Sequence, residues 1–157
     1  MITNGGGYPL DQTFYQTVKG MCTALPALHA GSTMLQVSAC GEKLGSQAFT
    51  DLMMKWADRW QEFLRHIEAH RDRTDLDQWE LQMQAKVLRV IGPEKLWFVS
   101  DGISQRVQMH IAVNPVLGRG GAAERAQRAV DDYMAAHPDA RVCAIPEGPY
   151  TMLRVRS

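Results

Sequence analysis

The chain carries no excess of charge. Lys plus Arg and Asp plus Glu each total 17 among 157 residues. Bulk charge therefore predicts neither a nucleic acid nor an anionic membrane as partner. Cysteine is scarce: Cys22, Cys40 and Cys143 form no CxxC pair and no zinc-site spacing, and an odd set cannot be fully paired. They read as buried free thiols of a reducing compartment. No apolar run approaches the roughly 18 to 20 residues a membrane span needs. The amino terminus lacks the basic, apolar, small-residue order of a secretory signal, so the expected location is cytoplasmic. A phosphate loop is missing too. Gly5-Gly6-Gly7-Tyr8-Pro9 is not GxGxxG and no Lys-Ser/Thr follows it, which leaves nucleotide binding a minor reading of the triglycine.

What is present describes a globular α/β chain. The length fits one domain over residues 1–157 and can bury a sizeable core. The apolar content of 45% is ordinary, and the scattered methionines read as core filler. Ile2 to Gly5, Thr33 to Ala39, Lys95 to Ser100 and Arg141 to Ile145 read as strands, the internal ones as continuous apolar runs and the final one as buried. Met109 to Val113 reads as a fourth short strand or an extended segment that positions His110. Between them run helices: Gln12 to Leu25 capped by Asp11, one long helix from Ser46 through Ile67, and a helix from Asp77 to Ile91. A last one spans Ala122 to His137. Asp77 and Glu80 have the spacing of a capping box. Buried strands alternating with helices predict a three-layer domain, a mostly parallel sheet with helices on both faces. In such sheets ligands gather beyond the carboxyl ends of the strands, where Gly5–Pro9, Cys40–Gly45, Asp101–Ser104 and Pro146–Tyr150 fall.

Few residues stand out for chemistry. Phe14, Val18, Met21, Cys22 and Leu25 make the buried stripe of the first helix. Gln16 and Lys19, three residues apart, lie side by side on its polar side with Tyr15 on the flank. By periodicity alone the simpler reading of that pair is a solvated face. Trp79 falls in the first turn of its helix, where the ordinary role is a lid over the core. His66 and His70 are spaced to share a metal but lack a third ligand and read as solvated. Trp56 and Trp60 read as core or docking residues.

One long segment is more specific. Thr3-Asn-Gly-Gly-Gly-Tyr-Pro-Leu-Asp11, followed by Phe14-Tyr-Gln-Thr-Val-Lys-Gly-Met21, resembles the carboxyl-terminal domain of the nickel-pincer lactate racemase family. Cys40-Gly-Glu-Lys-Leu-Gly-Ser46, Asp77-Gln-Trp79 and Ala144-Ile-Pro-Glu-Gly-Pro-Tyr150 follow in the family's order, so the resemblance covers essentially the whole chain. It implies a two-domain racemase or epimerase of 2-hydroxy acids. The first domain holds a nickel-pincer nucleotide and the acid–base histidines, and transfers hydride at the 2-carbon. The second contributes side chains to the substrate. By that resemblance Tyr15, Gln16, Lys19 and Trp79 are the substrate-binding residues. No catalytic, cofactor-binding or metal-binding residue is expected here, since nothing matches the first domain's segments. Met1-Ile2-Thr3 enters the first strand with hardly any lead-in, a start that a natural domain and a fragment share. The expectation is a substrate-side domain, inactive alone, whose partner is a fused or separately encoded first domain. The alternative is a non-catalytic module on the same fold that binds a small anion or a protein.

Overall fold

The computed structural model describes residues 1–155. Four strands, β1 (Ile2–Asn4), β2 (Met34–Val37), β3 (Leu96–Val99) and β4 (Asn114–Pro115), form one sheet in the order β1-β2-β3-β4. Every pairing is parallel, with Ile2 beside Leu35, Leu35 beside Trp97 and Trp97 beside Asn114. On the outer side of β1 a fifth, single-bridge partner at Ala144 is also parallel. It is fixed by hydrogen bonds from Ile2 N to the Cys143 carbonyl and from Ile145 N to the Ile2 carbonyl, both 2.8 Å. The fold is thus α/β and the sheet all-parallel, and the order in which strands are added reverses at β1. That reversal marks the edge where side chains from neighbouring loops converge.

Helices cover both faces. α1 (Phe14–Thr23) and α4 (Gln78–Ile91) pack together on one face, and α6 (Ala122–Ala136) lies against β2 and β3 on the other. The core is continuous: Phe14, Val18 and Met21 of α1 meet Met34, Leu96 and Phe98 of the sheet and Leu81, Ala85 and Leu88 of α4. Phe14 meets Phe98 edge-on, ring centroids 5.5 Å apart. Burial on both faces explains why β3 reads as an apolar run and β2 as one interrupted only by buried Gln36.

Several local expectations are corrected. Asp11 does not cap α1: Thr13 does, its Oγ1 accepting from Gln16 N at 3.3 Å. Asp11 instead accepts from Ala39 N through Oδ2 at 3.1 Å, tying two loops together. The long helix from Ser46 breaks into α2 (Gln47–Trp56) and α3 (Trp60–Ala69) across a 3-10 turn at Ala57–Arg59. His110 explains the break: its Nε2 donates to the Met54 carbonyl at 2.8 Å, and its Nδ1 lies 3.5 Å from Asp58. Ser46 does cap α2, accepting from Phe49 N.

Met109 to Val113 is not a strand. Gln105–His110 is a helix, α5, and pairing resumes only at Asn114–Pro115. Buried Gln108 holds α5, donating to the Ile103 carbonyl at 2.7 Å, while Ala112 turns with φ 58°. Arg141 to Ala144 are exposed, and only Ile145 of that run is buried, because one bridge at the sheet edge leaves the segment open. The exposure of Cys143 also departs from the reading of three buried thiols, although all three are free. His66 and His70 are half-buried, not solvated, with His66 against Trp56 at 5.0 Å between ring centroids.

Candidate functional site

The loops at the carboxyl edge are stitched to one another before any functional side chain is considered. Phe14 N donates to the Lys43 carbonyl at 2.9 Å and Tyr15 N to the Leu44 carbonyl at 3.1 Å, so the Cys40–Gly45 loop fixes the start of α1. Lys43 Nζ reaches the Gly102 carbonyl at 2.7 Å. Asn4 joins the opening loop to the closing one: its Oδ1 accepts from Gly6 N at 2.9 Å and Gly148 N at 3.2 Å. Thr23 Oγ1 donates to the Gly148 carbonyl at 2.7 Å, which pins the Pro146–Tyr150 segment to α1.

This stitching weakens the nucleotide reading of the triglycine. Gly5 N donates to the Val37 carbonyl and Gly6 N to Asn4. Two of the three amides that would cradle a phosphate are committed internally.

The four residues singled out in the sequence all lie near this edge, and three of them converge tightly. Tyr15 and Lys19 are one helical turn apart on α1. Trp79 is brought to them from the first turn of α4. The Tyr15 and Trp79 rings meet edge-on, centroids 5.9 Å apart at 88°. Lys19 Nζ lies 5.4 Å from the Tyr15 centroid and 5.9 Å from that of Trp79. Among the described residues no carboxylate pairs with this ammonium. Tyr15 also packs edge-on against buried Phe49 at 5.1 Å, so α2 sets its ring plane. Trp79 remains 46% exposed, and Tyr8 and Tyr150 are exposed on loops of the same edge.

Gln16 and Lys19 are not a solvated face, since both are partly covered. Gln16 Oε1 is enclosed and accepts no hydrogen bond. An enclosed carbonyl oxygen without a donor is unfavourable in a resting protein.

Sequence reasoning missed Glu80. The Asp77–Glu80 spacing predicts a capping box, yet Asp77 adopts a left-handed backbone with φ 61° and makes no side-chain cap. Its carboxylate accepts from Ser46 Oγ at 3.1 Å instead. Glu80 turns inward, fully buried, with neither carboxylate oxygen hydrogen-bonded. Burial pushes its pKa up to about 7, opposed by Lys19 and reinforced by Asp77. Burial also raises Tyr15, with Glu80 and Asp77 adding to the shift. Cys22 is raised to about 12, chiefly by burial and secondarily by Glu80. A carboxyl surrounded in this way holds a proton near neutrality. Glu three residues after a capping Asp is an ordinary helix start, so no local signal pointed to it.

The donor set does not fit a metal centre. Among the described residues no three His, Cys, Asp or Glu side chains come together, and the edge offers an ammonium, an amide, two aromatic rings and a buried carboxyl. A groove of about 690 Å³ also lies elsewhere, between α6 and the far face of the sheet, lined by residues such as Leu35, Trp97, Tyr133 and Val142. It includes none of the four residues. Among the described residues no helix is long and apolar enough to cross a membrane.

Comparison with known proteins gives the family and the fold. Residues 1–152 match the family described as lactate racemase C-terminal domain. The lactate racemase of Thermoanaerobacterium thermosaccharolyticum is 29% identical over 98% of the chain and 34% of its own length. That of Lactiplantibacillus plantarum is 33% identical over 94% of the chain and 32% of its own length. The solved apoprotein structure of the Thermoanaerobacterium lactate racemase superposes with a TM-score of 0.77 at 26% identity, covering 98% of this chain and 35% of that one. The chain therefore spans about a third of the length of these relatives. Over nearly all of its described residues, it belongs to the lactate racemase C-terminal domain family.

Proposed function

We propose that this chain is the substrate-side half of a 2-hydroxy-acid racemase or epimerase, with Lys19, Gln16, Tyr15 and Trp79 binding the substrate. The observation that carries the reading is Lys19: an ammonium without a carboxylate partner, held between two aromatic rings at the ligand edge of a parallel sheet. Family membership and the enclosed, unpaired Gln16 Oε1 support it. A substrate carboxylate would take a charge-assisted hydrogen bond from Lys19 Nζ, and Gln16 would accept from the 2-hydroxyl. Tyr15 and Trp79 would limit water around that pair, which strengthens it.

The nickel-pincer cofactor that the family resemblance implies does not fit the residues of this chain, and no step is assigned through it. In this reading cofactor and acid–base groups belong to the first domain, fused or separate, and the chain alone racemises nothing. The exposed Tyr8, Trp79 and Tyr150 at the site edge favour closure by a second domain, since large exposed aromatics clustered at one edge mark contact surfaces.

The test is to mix the purified chain with the cofactor-loaded first domain of a relative and follow the optical rotation of L-lactate. Racemisation that Lys19→Ala and Gln16→Ala each abolish supports the proposal. Racemisation by this chain with cofactor but no first domain would overturn the division of labour. Absence of any association between the two would favour a non-catalytic anion- or protein-binding module.

A further inference from the structure

Glu80 is a buried acid that the proposed substrate contacts leave unused. It lies on the first turn of α4, which packs extensively against α1. From α1 Lys19 acts on it, and Glu80 in turn raises Tyr15 and Cys22, which lie with Lys19 at i, i+4 and i+7 on one stripe of that helix. From its own side Asp77 acts on it. Lys19 is the one cation in this set. Yet the two do not form an ion pair, and neither Glu80 oxygen accepts a hydrogen bond. The carboxyl therefore depends on the field of a single ammonium one helix away to stay ionised.

That arrangement makes Lys19 a shared resource. We propose that Glu80 is a positioning residue on the helix packed against that of Lys19, and that an anion paired with the ammonium brings one proton from solvent onto the Glu80 carboxyl. The inference rests on reading Lys19 as the substrate's carboxylate partner. Two carboxylates competing for one cation at low dielectric do not both stay ionised. The substrate is the stronger acid and makes the direct contact, so Glu80 takes the proton. Bookkeeping is simple: at most one proton is taken up per anion bound, and one is released when the anion leaves. Binding then weakens as pH rises beyond the Glu80 midpoint, by up to about tenfold per pH unit. When neutral, Glu80 leaves the full charge of Lys19 for the substrate. It acts through Lys19 and does not touch the reacting atoms.

The experiment is carbon NMR of the whole chain with its glutamate carboxyls labelled, titrated with and without sodium L-lactate, alongside the Trp79 indole resonance as an independent report of binding. Loss of one carboxyl signal in Glu80→Gln assigns it, and Lys19→Gln tests the coupling. The expected result is a Glu80 midpoint near neutrality that rises in Lys19→Gln. It also rises with lactate in the native chain, but not in Lys19→Gln. Glu80→Gln should bind lactate with an affinity that no longer falls at alkaline pH. If the Trp79 indole responds to lactate while the Glu80 midpoint stays fixed, the proton coupling is wrong and the substrate site stands. If neither responds, the substrate reading fails and takes the coupling with it. A midpoint in the ordinary carboxylate range, insensitive to Lys19→Gln, overturns the proposal whatever lactate does.

Discussion

Gly20 of α1 crosses the end of β1 at backbone contact with Asn4: a Cβ built on Gly20 would lie 1.9 Å from the Asn4 carbonyl oxygen. A mid-helix glycine costs roughly 1 kcal/mol relative to alanine, so in an unconstrained helix Gly20→Ala would stabilise. Here the methyl meets main chain, which cannot rotate away. α1 would have to lift from the sheet and carry Lys19 with it. We expect Gly20→Ala to lose about 1–3 kcal/mol in urea unfolding, and to displace the indole resonance of Trp79. A gain in stability would show that the close approach is not maintained.

Thr13, not Asp11, satisfies the first turn of α1. Thr13→Ala should therefore cost about 1 kcal/mol and raise amide exchange at Gln16. Asp11→Ala should leave that amide protected while loosening the Ala39 amide that its carboxylate binds. Hydrogen exchange at the two positions separates the roles, and the opposite pattern would restore Asp11 as the cap.

Glu80 makes a pH-dependent contribution whose sign is unusual for a carboxyl. Its folded pKa of about 7 lies above its ordinary value of 4.5. Below 4.5 both states hold the proton and the group is neutral in effect. As pH rises from 4.5 to 7 the unfolded chain ionises first, so folding stability falls, and the loss levels off above 7. Glu80→Gln removes this penalty. The variant should be more stable than the native chain at pH 8, on the order of a few kcal/mol, and nearly equal to it at pH 4.5. Chemical melts at both values check this. An equal difference at the two pH values would mean that Glu80 is ionised and satisfied in the fold.

Legibility in the sequence followed the range of the interactions. The strands at Met34–Val37 and Leu96–Val99 were readable because burial on both faces demands apolar runs, and the Phe14, Val18, Met21 stripe because helical period is local. The break at Ala57–Arg59 was not, since it depends on His110 reaching Met54 from 56 residues away. Glu80 was misread for the same reason. Its spacing from Asp77 is that of a cap, and only the competing bond from Ser46, 31 residues earlier, takes Asp77 out of that role. At the site, Tyr15, Gln16 and Lys19 follow from helix spacing. The meeting of Trp79 with them requires α4 to pack on α1, which no local pattern states; only the family resemblance brought it forward.

Lys19 and Trp79 should fail differently in the reconstituted two-domain assay. Removing the ammonium deletes a hydrogen bond to a charged group, a loss of about 1.5–3 kcal/mol, and leaves the substrate carboxylate unpaired. Lys19→Ala should therefore lower kcat/KM by at least about tenfold to a hundredfold. Trp79→Ala removes a cation–π contact worth about 0.5–1 kcal/mol and admits water beside Lys19, while the charge remains. Its loss should be several-fold, appear mainly in KM, and be largely recovered by Trp79→Phe, which keeps the aromatic face. In the double variant the penalties should sum to less than their total, because without the ammonium the ring has no cation to hold. Strict additivity in that cycle would mean that the contact between Lys19 and Trp79 plays no part in substrate binding.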